Sequence, residues 1–330
     1  MTDELPSISV VVIGRNEGER LARCWHSVRD ADYPPERMEL IYVDSDSTDD
    51  SCSIAAQLGA KVIRIRPGRP CAAAARNAGL RSVSYDLVHF LDGDTILDPA
   101  WLRKAVQAIA DPTAACVFGR CEELAPESSI YNFWAHHDWY VPPGPAETCG
   151  GNALFKREVL DWAGGFDESL IAGEEADLCY RIRTRRGLTI FSLREPMIRH
   201  DINMKRFSQY WKRSMRTGHA YAEVGGRHPG LRHWRAARWR NLLYTCILPG
   251  AGVLSVVLSS WWPLVFACAW IATAITRNAI RLRKQVGSMG GALLFSSHHY
   301  LCKVPATLGQ CSYWLRSWLH RSPQPLIEYR

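Results

Sequence analysis

The chain opens its first ordered pattern on a β-branched run, Ile8-Ser9-Val10-Val11-Val12-Ile13. Such a run predicts a buried strand. Helical spacing follows over 19–28 and ends before Pro34-Pro35. Leu40 to Val43 is a second apolar run that stops at Asp44, and Asp46 to Asp50 reads as the cap of a helix over 51–58. Lys61 to Ile65 predicts a third strand, Ala72 to Ser82 a helix, and Leu87 to Leu91 a fourth strand. This alternation predicts an α/β fold, a mostly parallel sheet flanked by helices. Sheets of that kind bind ligands at the carboxyl ends of their strands. The polar clusters fall there: Asn16 and Glu17 after the first strand, Asp44 after the second, and Asp92-Gly93-Asp94 after the fourth. From 113 to 225 the pattern is less regular. A turn, Cys149-Gly150-Gly151-Asn152, precedes a helix from Lys156, and Glu174-Glu175-Ala176-Asp177 begins another that runs to Arg185.

The pattern breaks near the end. Between Arg240 and Arg277 lie 36 residues without a charge. As one helix they would span about 54 Å, against ~30 Å for a bilayer core. Folded back at Ser259 to Pro263, each arm is about 27 Å, barely enough to cross. Arginines flank both arms, which puts both ends on the cytoplasmic side. Pro249-Gly250 favours a broken, re-entrant element over two crossings, and a buried hairpin of a soluble domain is the bland alternative. Residues 287–318 are apolar but interrupted by His298, His299, Lys303 and Pro305, and read as interfacial.

Charge sharpens this division. The net charge is +7, but residues 1–225 hold 27 Lys+Arg against 32 Asp+Glu, whereas 226–330 hold 13 against 1 and 7 of the 13 tryptophans. That excludes a uniformly basic nucleic-acid binder and suggests a tail at the interface of a membrane. The expected domains are therefore 1–225 and a basic, Trp-rich region 226–330 with its apolar hairpin at 241–276. Eleven scattered cysteines lack zinc spacing and give an odd count, so a reducing cytosol is expected rather than a disulfide framework. The start, Met-Thr-Asp-Glu-Leu-Pro, lacks the pattern of a signal peptide.

Five places carry candidate chemistry, each with a bland alternative. Asp92 and Asp94, with Gly93 between them, can face one hard cation such as Mg2+, or form a simple turn. Asp44 can accept the imide N–H of uracil, or merely close a strand-end turn. Arg76 follows the small run Ala72 to Ala75 and can reach a base or phosphate, or be a surface charge. Glu174, Glu175 and Asp177 are more carboxylates than a helix start needs, so one can be a general base. His200 can complete a metal site beside two aspartates, or be structural.

Taken in this order, the segments resemble the family 2 glycosyltransferases. The resemblance rests on Ser7 to Ile13 with Asn16-Glu17, Val43 to Asp49, Ala75-Arg76-Asn77-Ala78-Gly79, Phe90-Leu91-Asp92-Gly93-Asp94, Gly150 to Phe155, Gly164 to Glu168, and Gly173 to Arg181. It covers about residues 7–220. It implies the GT-A nucleotide-sugar-binding fold, followed here by a membrane-associated helical region, and inverting transfer of a sugar from a nucleotide-sugar. UDP is the family's commonest donor nucleotide. By resemblance, Asn16, Glu17, Asp44, Arg76, Asp92, Gly93, Gly151 and Asn152 bind the donor. Asp92, Asp94 and His200 hold Mg2+ or Mn2+. Glu175 is the catalytic base, in the place of the family's usual aspartate, and Glu174, Asp177 and Arg181 support the acceptor side. Gln209-Tyr210-Trp211-Lys212-Arg213 only echoes the motif of processive synthases, which favours transfer of a single sugar. A cytosolic site beside a cationic membrane element implies a lipid-linked or saccharide acceptor at the cytoplasmic face of the inner membrane, with membrane lipids as partners. Two other classes stay open: a sugar nucleotidyltransferase, and a non-catalytic membrane scaffold of the same fold.

Overall fold

The computed structural model describes residues 5–319 apart from 67, 69 and 70. They form two compact units, 5–125 with 139–203, and 126–138 with 204–319. The expected boundary at 225 falls within a helix that runs from Phe207 to Arg227.

In the first unit the elements are β1 (Ile8–Gly14), α1 (Glu19–Arg29), β2 (Met38–Asp44), α2 (Ser51–Gln57), β3 (Lys61–Arg64), α3 (Ala72–Leu80), β4 (Leu87–Asp92), β5 (Thr95–Leu97), α4 (Trp101–Ile109) and β6 (Ala114–Glu123). After α5 (Ile130–Asp138), which belongs to the second unit, come β7 (Gly144–Ala146), β8 (Ala153–Lys156), α6 (Arg157–Ala163), α7 (Glu174–Arg186) and β9 (Thr189–His200). One sheet joins all nine strands in the order β3-β2-β1-β4-β8-β6-β9-β5, with β7 on β9. It is parallel from β3 to β4, where α1, α2 and α3 supply the crossovers that parallel neighbours need. Beyond β4 it becomes mixed: β8 runs antiparallel to both β4 and β6, and β5 to β9, while β6 and β9 are parallel. The long strands β6 and β9 occupy the stretch whose sequence pattern was irregular, and β9 resolves Pro196-Met197-Ile198 as strand.

The core lies on both faces of this sheet. Val10, Val11 and Val12 are fully buried, as are Trp25 of α1 and Trp101 of α4. Within it His89 is buried and neutral. Its Nδ1–H donates to the Phe90 carbonyl (3.0 Å), so Nε2 accepts from Trp101 Nε1 (2.6 Å). Burial holds the His89 pKa down at about 4, although the Phe90 hydrogen bond opposes the shift.

The second unit is helical: α5, α8 (Phe207–Arg227), α9 (Arg232–Val257), α10 (Trp262–Val286), α11 (Met289–Leu301) and α12 (Lys303–Trp318). The segment read as interfacial thus forms two helices, and α12 packs on α8. Their approach requires Gly218, where a Cβ would come 2.0 Å from the Ala306 carbonyl oxygen. Asp138 at the end of α5 binds His298 Nε2 (2.7 Å) and lies 3.5 Å from His299 Nε2. The Asn278 amide donates to His299 Nδ1 (3.1 Å), which leaves the His299 proton on the nitrogen facing Asp138.

Helices α9 and α10 are long and apolar enough to cross a membrane, with 26 and 25 residues, or about 38 Å each. The flanking arginines continue both helices beyond the uncharged segment. The expected break at Pro249 is also absent: α9 runs through it. In the two apolar windows only 11% and 6% of residues are buried. Val253, Val256, Val257, Trp261 and Phe266 face outward.

The neutral His89 predicts an acid-side loss of stability. Its folded pKa lies below the unfolded value of about 6.5, so the unfolded chain binds the extra proton between those values. Stability should fall by about 3 kcal/mol as the pH drops from 7 to 4. Thermal unfolding across that range should show a shallower slope in His89→Gln, which retains an acceptor for Trp101.

Candidate active site

The parallel half of the sheet brings the predicted strand ends together. β4 ends at Asp92, and the chain turns through Gly93 and Asp94 into β5. Gly93 N donates to the Ile13 carbonyl (2.8 Å), which ties this turn to the end of β1. β5 then pairs with the end of β9, Thr95 facing His200, and Asp201 N donates to the Asp94 carbonyl (2.9 Å). Distant segments thereby converge, and one ligand atom from each of Asp92, Asp94 and His200 lies within 4.8 Å of the others.

These three residues fit a divalent cation. His200 Nε2 is 3.6 Å from Asp94 Oδ1, too long for a hydrogen bond. Two ligands about 2.1–2.2 Å from one ion, roughly 90–110° apart, are separated by about 3–3.6 Å. Asp94 is buried and Asp92 partly open, as expected of ligands at the floor of a site.

Arg76 organises the other side. It stands on α3, whose small residues Ala73, Ala74 and Ala75 are buried against the sheet, and its side chain is 3% exposed. Nη1 donates to Glu174 (2.9 Å) and Glu175 (3.1 Å), and Nη2 to Asp92 (3.1 Å). One buried guanidinium therefore joins the end of β4 to the start of α7. Asn152 completes the clasp: its Oδ1 accepts from Asp92 N (2.8 Å), and its amide donates to Asp92 Oδ2 (3.2 Å). Gly151 leaves room for this, since a Cβ there would lie 2.2 Å from Arg76 Nη2.

Glu174 and Glu175 differ in access. Glu174 is buried, whereas the Glu175 side chain is 19% exposed and can meet a substrate. Burial raises the Glu175 pKa to about 7, the Glu174 charge adds to the shift, and Arg76 opposes it. A carboxylate so poised suits proton transfer near neutral pH. Asp177 and Arg181 lie further along α7. Arg181 binds Asp177 (2.9 Å) and donates to the Gly165 carbonyl (2.8 Å), so the pair braces the helix against the turn before it.

At the ends of β1 and β2, two turns interlock. Asn16 N donates to Ser47 Oγ (2.9 Å), and Asn16 Oδ1 accepts from Thr48 N (2.8 Å). Asn16 and Asp46 both hold positive φ, 57° and 61°. Glu17 is buried and paired with Arg20 (2.9 Å). Asp44 is fully buried; its carboxylate accepts from Ser47 N (2.9 Å) and from the Tyr42 hydroxyl (3.3 Å). Its oxygens shape the turn, and the exposed chemistry of this end comes from Asp46 and Arg64. Arg64 lies 3.6 Å from Asp44 and donates to the Ser47 carbonyl (2.7 Å). Arg64 carried no signal of its own in the sequence, although β3 had to end beside β2. Nor did any pattern mark Trp139, whose ring packs 4.9 Å from that of His200.

The chain is similar to known proteins. Residues 9–161 match the sequence profile described as Glycosyl transferase family 2. The chain is 28% identical over 184 residues to glycosyltransferase AglE of Haloferax volcanii, covering 52% of this chain and 60% of that one. It is 25% identical over 302 residues to beta-monoglucosyldiacylglycerol synthase of Synechocystis, covering 81% of this chain and 60% of that one. The match thus spans about 60% of the length of each of these relatives. Among solved structures, the mannosyltransferase PcManGT of Pyrobaculum calidifontis, in complex with GDP-Man and Mn2+, superposes with a TM-score of 0.60 at 20% identity, covering 97% of this chain and 89% of that one. The fold is therefore the GT-A fold, a mixed α/β sheet with flanking helices, followed by a C-terminal helical region.

The close contact at Gly151 gives a direct test of the clasp. Gly151→Ala should lower the unfolding free energy by about 1–3 kcal/mol by forcing Arg76 to move. Gly150→Ala, where a Cβ meets nothing within 4 Å, should change it by less than about 0.5 kcal/mol. Thermal unfolding of the two variants side by side measures the difference.

Proposed function

This chain belongs to glycosyltransferase family 2, and from that premise we propose that it transfers one sugar, with inversion, from a nucleotide-sugar to a hydroxyl of a lipid-linked or saccharide acceptor. The observation that carries the reading is the shared guanidinium of Arg76, which sets Glu175 beside the Asp92–Asp94–His200 ligand set. The nucleotide lies across the ends of β1 and β2, along the turns of Asn16, Glu17 and Asp44. Gly93, Gly151 and Asn152 shape the floor under the donor sugar. Asp92, Asp94 and His200 would hold Mg2+ or Mn2+; when bound, such an ion supplies positive charge against the charge that grows on the leaving diphosphate. Glu175 takes the proton of the acceptor hydroxyl as its oxygen attacks the anomeric carbon. The bond from that carbon to the phosphate oxygen breaks on the opposite face, the nucleoside diphosphate leaves, and the carbon inverts. Arg76 holds Glu175 at the reacting face, and Glu174, Asp177 and Arg181 fix the helix that carries it.

The second unit supports a membrane-bound acceptor. Helices α9 and α10 cross the bilayer as a hairpin, with their arginine-rich ends on the cytoplasmic side. Arg232, Arg235 and Arg240 before the first apolar stretch, and Arg277, Arg281, Arg283 and Lys284 after the second, meet anionic headgroups at about 1 kcal/mol each. That one relative is a beta-monoglucosyldiacylglycerol synthase agrees with a lipid acceptor.

Three experiments test this. Glu175→Gln should lower sugar transfer by at least about a hundredfold while sparing donor binding. In the wild type, kcat/KM should fall about tenfold per pH unit on the acid side of the Glu175 pKa, which burial raises to about 7 before a cation binds, because the base must be ionised; a profile flat down to pH 4 would remove Glu175 from the role. A scaffold would retain its function with the glutamine. Separately, the full chain expressed in a bacterial host should stay in the membrane pellet after washing with alkaline carbonate. Release into the wash would end the spanning-hairpin reading while leaving the transferase reading intact.

A further inference from the structure

His200 is the last residue of β9, and its main chain is fixed from two sides. Leu124 N donates to its carbonyl (2.9 Å), and β5 pairs with it through Thr95. Just beyond, Glu123 accepts from Ile202 N (3.2 Å). A fixed backbone still leaves an imidazole its side-chain rotations. The Trp139 ring limits them. Its centroid lies 4.9 Å from the His200 ring, tilted by 52°, and leaves the His200 side chain 12% exposed. Trp139 is itself tethered to the same strand. It begins the segment that leads into β7, which pairs with β9 at Gly144 and Ser192.

We infer that Trp139 is a positioning residue: its indole holds the His200 imidazole toward Asp94, and so makes the site favour first-row transition ions over Mg2+. This rests on reading Asp92, Asp94 and His200 as a cation site. The chemistry of the ligands gives the selectivity. Mg2+ is content with carboxylates, phosphates and water, whereas an imidazole nitrogen adds more to the binding of a first-row transition ion, Mn2+ being the weakest of the series. With the indole gone, the His200 ring loses that wall and can turn from Asp94 more easily. The site is then left with two carboxylates, which hold either kind of ion. Residues that orient a metal-bound histidine are typically worth about 10–100-fold in affinity.

The test uses the full chain in detergent micelles and needs no sugar. Binding of Mn2+ alone is followed by the paramagnetic resonance of the free ion, and Mg2+ by competition. Trp139→Ala should weaken Mn2+ about tenfold or more and change Mg2+ by less than about twofold. Trp139→Phe should restore most of the Mn2+ affinity. In a His200→Ala background, Trp139→Ala should have no further effect. Should Trp139→Ala fail to fold, as judged by metal-free melting, Trp139→Leu fills the space without an aromatic face and makes the same test. Equal weakening of both ions, an effect that persists without His200, or unchanged Mn2+ binding in Trp139→Ala overturns the role of Trp139. A wild type that binds no Mn2+ overturns the cation site itself, a distinct result.

Discussion

The first unit depends on one buried charge. Arg76 is 3% exposed and is held by Glu174, Glu175 and Asp92. A guanidinium can serve three carboxylates because its donors lie in a rigid fork, which a lysine cannot copy. Burying a charge is costly unless it is paired and hydrogen-bonded. Here the pairing comes from segments far apart in sequence, so Arg76 is tolerated only when α3, β4 and the start of α7 are all in place. The same condition assembles the site: folding that satisfies Arg76 also sets Glu175 beside Asp92. Removing Arg76 would leave three carboxylates crowded together without their counter-charge.

How far the sequence foretold this follows from the range of each interaction. The strands β1 to β4 and the clusters at their ends were legible, because a β-branched run and the polar residue that stops it are neighbours in the chain. The order of the strands beyond β4 was not. β8 inserts between β4 and β6 through pairings more than thirty residues apart, and nothing local marks that choice. Arg76 read equally well as a surface charge, since its partners at 174 and 175 are invisible from its own helix. His200 could be suspected only as a lone histidine; the β5–β9 pairing brings it to Asp94. Asp44 shows the opposite limit. Its position at the end of a strand was clear from the pattern, but its burial beneath Tyr42 and Ser47 depends on how two turns close over it.

The second unit follows another logic. Its apolar side chains on α9 and α10 point outward, and several of its polar ones bind one another between helices. Thr245 meets Thr307 (2.9 Å), Tyr210 meets His298 (3.0 Å), and His298 meets Asp138. In water that distribution would expose a large apolar surface. In lipid it is the favourable one, because apolar side chains cost nothing there while polar groups need partners inside the protein. The break expected at Pro249 rested on the loss of one hydrogen bond and a steric clash. A long helix can absorb both, and α9 does.

The electrostatics of the first unit join its two halves. Arg76 brings one positive charge to three carboxylates, and Asp94 adds another negative group nearby. Burial, with the charges of Glu174 and Asp92, raises Glu175 to about 7 against the opposing pull of Arg76. A dication held by Asp92, Asp94 and His200 would relieve part of the repulsion that Glu175 feels from Asp92. It would therefore lower the Glu175 pKa and favour the ionised base at neutral pH. On the transferase reading, a donor diphosphate beside that ion would restore negative charge and push the pKa back up, so the proton affinity of Glu175 depends on both bound charges and not on its helix alone.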